Sequence, residues 1–217
     1  MDDRTGLSFP HEIWWLVAQE FASRRDFGGL FLCARLGRGM ARVALPELYA
    51  IHDKSPALDA HILNVESSVC LWRSIIASSL GKTLFPYCCW IKALRLGNLL
   101  LHLEDLARGN PRLKAQFFKP PLGKLQIHRG RGKALDLEAI IVQVANMVTE
   151  CIRSSADHEA RRTGITTLEG PYLPTANLPA WVSSLSSLTS LSVRDGSVLT
   201  SDVACAIRTN CPAFREL

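Results

Sequence analysis

Apolar residues recur along this chain at positions one, four and six of a short window. The set appears as Ile91, Leu94 and Leu96, then as Leu122, Leu125 and Ile127, and again as Leu188, Leu191 and Val193. Weaker copies begin at Ile165, with Leu168, and at Phe214, with Leu217. Alternation over four to six residues places such side chains on one face of a short strand. The starts lie 31, 43, 23 and 26 residues apart, so each strand belongs to a unit that must stack on a neighbour to hide its apolar face. With 217 residues, 47% hydrophobic and 21% charged, the chain can bury a real core and is no disordered tail.

The most complete copy runs from Leu188 through Gly196 and Val198 to a helix around Ser201, Asp202, Val203 and Ile207, and ends at Asn210-Cys211-Pro212. Ser201 or Asp202 is expected to cap that helix, Val203, Ile207 and Cys211 to face the core, and Pro212 to halt it. The longest interval holds an insertion, residues 134–162. There Leu137, Ile140, Ile141, Val144, Val148, Cys151 and Ile152 form the stripe of a long amphipathic helix. Trp181 and Val182 sit in a short return helix after Asn177-Leu178-Pro179, and further helices are expected at 58–63 and 69–80. On these residues the region resembles cysteine-containing leucine-rich repeats, whose period is about 20 to 29 residues. Two intervals fit and two are longer, so the array is irregular. It stops at Leu217 inside a strand motif without a polar terminal repeat, which reads as a truncated array.

The first fifty residues read differently. Ser8 and Pro10 open a helix whose buried face is expected to be Ile13, Leu16, Val17 and Phe21. Asp26 caps a second helix containing Phe27, Leu30, Phe31 and Ala34, which Gly28 and Gly29 shorten and weaken. A third runs from Met40 to Leu45, where Pro46 is expected to stop it. So small a unit cannot hide all its apolar side chains, and Trp14, Trp15, Phe31 and Leu32 are surplus. They pack either on the rest of the chain or on a partner. Trp14 and Trp15 lie about 100° apart around the helix, so one of them faces an interface.

In order, Phe9-Pro10-His11-Glu12-Ile13 with Val17, Asp26-Phe27 with Leu30 and Cys33-Ala34, and Ala44-Leu45-Pro46-Glu47-Leu48-Tyr49 resemble an F-box of the type common in fungi. The pattern departs at Phe9, where leucine is usual, at Ala34, where cysteine is usual, and at Met40, near the place of a tryptophan. These changes bear on adaptor affinity more than on fold. The implied organisation is an F-box at residues 7–50 and a partial leucine-rich-repeat domain at 51–217. As a whole it is an α+β or α/β solenoid with an inserted long helix.

Other chemistries find little support. Gly81-Lys82-Thr83 lacks the glycine a phosphate loop needs at position 76, which is isoleucine, and Gly132-Lys133 fails likewise. Cys88-Cys89 and Cys205 with Cys211 do not reproduce zinc-ligand spacing, and no Gly-x-Ser-x-Gly elbow occurs, so neither a metal nor a cofactor is expected. The seven cysteines read mostly as reduced core thiols. Of the net charge of +5, seven bases without an acid lie between Arg112 and Lys133, leaving −2 elsewhere. That segment has no aromatic interleaving, which argues for a solvated connection over nucleic-acid binding. No run suits a membrane span or export signal, so a cytoplasmic or nuclear location is expected.

The resemblance implies a non-catalytic substrate receptor of an SCF-type cullin-RING ubiquitin ligase. Phe9, Pro10, Ile13, Val17, Leu30 and Cys33 would contact the ligase adaptor, which in turn bears the cullin, and the repeats would hold an unidentified protein substrate. The alternative is a repeat scaffold whose N-terminal helices only cap the array. Exposure of Pro10, Ile13 and Val17 separates the two.

Overall fold

The computed structural model describes residues 10–51, 65–109, 111–130, 134–155, 164–170 and 173–217. The first helix, α1 (His11–Ser23), starts behind Pro10, whose ring suits a helix entrance. In α2 (Phe27–Arg35) the Asp26 carboxylate accepts a hydrogen bond from the Gly29 amide at 2.8 Å, the expected cap. Gly29 does more than weaken this turn. A Cβ there would lie 2.6 Å from the Phe21 ring and 2.7 Å from the Asp26 carboxylate, so only glycine lets α2 begin this close to α1.

The third helix corrects the expected stop at Pro46, because α3 (Arg38–Ala50) runs through it. A proline inside a helix forfeits one hydrogen bond, at a cost of about 3 kcal/mol. Beyond it Leu48 and Tyr49 are buried, and each large apolar side chain returns about 1.5–3 kcal/mol, enough to carry the helix onward.

Tyr49 also roots α3 in the rest of the molecule. Its ring stacks on Tyr87 at 4.6 Å between centroids, and its hydroxyl shares a 2.6 Å hydrogen bond with Ser74 Oγ of α4 (Val65–Ser79). Trp90 and Phe85 complete the aromatic cluster. The helix expected at 58–63 lies outside the described residues.

Three short strands, β1 (Ala93–Arg95), β2 (Thr167–Gly170) and β3 (Ser190–Val193), pair in parallel in that order. Leu94, Leu168 and Leu191 stand in register, and all three are buried. Arg95, Glu169 and Ser192 form the adjacent polar row, with an Arg95–Glu169 ion pair at 3.1 Å. Ser190 also bridges Glu216 in parallel, so the copies at Ile91, Ile165, Leu188 and Phe214 all fall on one ladder. The copy at Leu122 does not. Residues Leu122–Leu125 form a 3-10 turn, in which a three-residue spacing brings both leucines to the same side as well.

The long interval between β1 and β2 is filled by α5 (Leu96–Arg108), α6 (Pro111–Phe118) and α7 (Leu137–Ser155). Leu96, read from sequence as the end of a strand, is the first residue of α5, whose Leu99, Leu103 and Leu106 are buried. The Arg73 guanidinium donates to the carbonyls of Gln116, Lys119 and Pro120 and so ties the end of α6 to α4. The inserted helix α7 buries Ile140, Ile141, Val144, Val148 and Ile152 of the expected stripe.

Two return helices, α8 (Leu178–Ser183) and α9 (Ser201–Asn210), pack on each other. Trp181 Nε1 donates to Asn146 Oδ1 of α7 at 2.6 Å, and the Cys211 thiol donates to the carbonyls of Val182 and Leu185. The cap of α9 is Thr200, one residue before the expected position, its Oγ1 accepting from the Val203 amide. Val203 and Cys211 are buried as expected, while Ile207 is half-buried.

The described residues thus form an α+β fold of nine helices and one small parallel sheet. None of these helices is long and apolar enough to cross a membrane.

Candidate functional site

In the three N-terminal helices, Ala18, Phe27, Leu30, Cys33, Met40, Val43 and Ala44 are buried and belong to the same continuous core as the body. Within this head α1 and α2 pack on each other and on α3, and α3 meets the Tyr87–Cys89 turn of the body. This division of labour leaves large apolar side chains of α1 and α2 in solvent. Ile13 is 43% exposed, Trp15 46%, Leu16 54%, Phe31 54% and Leu32 60%, with Leu36 beyond them. Isolated exposed leucines are ordinary, whereas this many on two adjoining helices make a candidate interaction surface.

The residues singled out from sequence divide accordingly. Pro10 and Ile13 are exposed and Val17 is half-buried, on one side of α1. Phe9 lies outside the described residues. Leu30 and Cys33 are fully or nearly buried in the head, at 0% and 8% exposure, and cannot face a partner. They occupy the side of α2 turned towards α3, and the neighbouring Phe31 and Leu32 take the outward places instead. Of the two tryptophans, Trp14 packs against the core and Trp15 is the outward one. Phe31 and Leu32 were legible as surplus apolar residues, whereas Ile13 and Leu16, read as part of the buried face of α1, stand outward, because α1 meets α2 and α3 on the side of Trp14, Ala18 and Phe21.

Charge borders this face. The Arg35 guanidinium lies over the Phe31 ring, 5.9 Å from its centroid, and Glu20 pairs with Arg24 at 2.6 Å on the exposed end of α1. Burial pushes the Cys33 thiol up, with a contribution from Asp26, so it stays protonated. At the root of the head, burial raises the Glu47 carboxyl and lowers the Lys92 ammonium, while their mutual attraction opposes both shifts. The head is held to the body by apolar, aromatic and electrostatic contacts of α3.

On the body, a groove of about 400 Å³ between α5 and α7 has Leu96, Leu100 and Leu137 as its floor, with Glu104, Arg129 and Glu138 at its edge. In the basic segment, Arg112, Lys119, Lys124 and Arg129 are exposed around α6 and the following turn, whereas 131–133 lie outside the described residues. Among the described residues, the side chains able to ligate a metal together are Cys88, Cys89 and Cys151 of the body, whose sulfurs all lie within 4.8 Å of one another. Compared with protein-family models, with curated proteins and with solved structures, the chain matches none.

Proposed function

We propose that this chain is a non-catalytic substrate-recognition subunit of an SCF-type cullin-RING ubiquitin ligase. The observation that carries the reading is the open apolar side of α1 and α2, where Pro10 and Ile13 stand in solvent and Trp15, Leu16, Phe31 and Leu32 join them. A scaffold whose N-terminal helices merely capped its own repeats would have covered Ile13. The order of F-box-like residues supplies the identity of the partner, an adaptor that receives an apolar helical surface in a groove. Through the adaptor the chain reaches the cullin.

The body then acts as the target-binding part of an irregular leucine-rich-repeat array. Its support is the parallel ladder of Leu94, Leu168 and Leu191 with helices on the return path. Side chains in the polar row, Arg95, Glu169 and Ser192, and the groove between α5 and α7 are available to a protein substrate. Catalysis belongs to other subunits. Holding a target beside the charged conjugating enzyme raises the effective concentration of its lysines, and this proximity is the whole contribution of the receptor.

The test is co-purification with a recombinant adaptor. Ile13→Asp places an unpaired charge in the apolar contact and costs about 3 kcal/mol or more, over a hundredfold in Kd, so the adaptor should be lost. Circular dichroism of the variant should be unchanged, since Ile13 is not part of the core. Retention of the adaptor at wild-type affinity would sink the assignment.

A further inference from the structure

Two adjacent thiols and a third far along the chain meet inside the body. Cys88 and Cys89 sit on the Tyr87–Cys89 turn, and Cys151 reaches them from α7. Cys88 Sγ lies 2.8 Å from Cys151 Sγ and 3.9 Å from Cys89 Sγ, and none of the three is in a disulfide. Cys88 is fully buried, Cys89 nearly so, and Cys151 half-buried, which leaves an approach on the α7 side. Zinc holds thiolates at about 2.3 Å, which sets three sulfurs around one ion roughly 3.8 Å apart. The Cys88–Cys89 side already has that length, and all three sulfurs lie within 4.8 Å of one another. A disulfide uses only two sulfurs and gives no reason for the third to converge.

We propose that Cys88, Cys89 and Cys151 form a three-thiolate site for a divalent d10 cation of the zinc class, with water as the fourth ligand on the Cys151 side. Sulfur-only donors select soft or borderline ions over magnesium or calcium. A divalent ion leaves the site at −1, whereas a monovalent one leaves −2, and uncompensated charge is costly at this depth. The surroundings fix the ligands in place. The Cys88 amide donates to Ser78 Oγ at 2.7 Å, and Ser155 Oγ donates to the Cys151 carbonyl at 2.7 Å, the outer contacts that hold metal-binding side chains in position.

Binding of the cation releases the thiol protons to solvent as three metal–sulfur bonds form.

The full chain, reduced and stripped of metal under nitrogen, is titrated with cadmium(II) while the ultraviolet sulfur-to-cadmium charge-transfer band is followed. Saturation at one equivalent is expected, as is growth of the same band when cadmium(II) is added to protein first loaded with zinc(II). Cys151→Ser, at the half-exposed position least able to disturb folding, should weaken affinity by more than the roughly 10- to 100-fold that losing an outer contact costs. Its far-ultraviolet circular dichroism should not change. Cys70→Ser, at an exposed cysteine outside the cluster, should bind as the wild type does. The site is refuted by a titration with no saturable band or by a Cys151→Ser variant that binds as tightly as wild type.

Discussion

Helices α1 and α7 are built from similar material and end in opposite circumstances. Each is rich in large apolar residues, yet Ala18 is the one buried residue of α1, whereas α7 buries Ile140, Ile141, Val144, Ala145, Val148, Thr149 and Ile152. The difference lies in their neighbours. The inserted helix touches α4, α5, α8 and the Tyr87–Cys89 turn, while α1 has α2 and α3. Apolar content alone therefore does not tell a core helix from a docking helix. The number of elements that surround it does.

The contrast breaks most visibly under charge. Val144→Asp, at a site with no exposure, should cost more than about 4 kcal/mol and unfold the body. By contrast Ile13→Asp should leave the urea midpoint nearly where it was, so a large loss of stability from Ile13→Asp would show that α1 is covered after all. A smaller effect sharpens the picture of the head. Removing the Asp26 cap as Asp26→Ala should destabilise by about 1 kcal/mol. Adaptor binding should weaken along with it, because α2 carries Phe31 and Leu32, and an adaptor affinity indifferent to this loss would confine docking to α1.

The smallest effect concerns pH. Burial lowers the pKa of His102 in α5, against the opposing pull of Asp105. The unfolded chain then takes up a proton on this histidine at a pH where the folded chain still resists it. The contribution of His102 to stability is present above the ordinary histidine range and is lost as pH falls through it. Urea melts at pH 7.5 and 5.5 should show this loss, and His102→Asn should flatten the difference. An unchanged difference in the variant would place the sensitivity elsewhere.

Much of the architecture was legible because period-two alternation and burial coincide. The copies at Ile91, Ile165, Leu188 and Phe214 all contribute to the ladder. The failure at Leu122 has a definite origin, since a three-residue interval suits a 3-10 turn as well as a repeat strand. Assigning Leu96 to a strand hid the helical spacing of Leu96, Leu99, Leu103 and Leu106, a signal that was present. Pro46 misled because local backbone preference was outweighed by the burial of Leu48 and Tyr49. At the candidate docking face, whether Pro10 and Ile13 faced a partner or the chain's own repeats stayed open in the sequence, and Leu30 and Cys33 were not separable from Phe31 and Leu32 without the position of α3. The thiol cluster was hidden for a simpler reason. Cys88 and Cys151 are 63 residues apart, and only the packing of α7 on the Tyr87–Cys89 turn makes them neighbours.

Tyr49 gives α3 two jobs, roof of the head and root in the body. A single unbroken rod therefore spans both parts, and the aromatic socket around Tyr87 works like the keyed end of a lever. Under the proposed function, a partner that clasps α1 and α2 would thereby also set the compass bearing of Arg95, Glu169 and Ser192, and shortening or twisting that rod would re-aim a bound target without touching either grip.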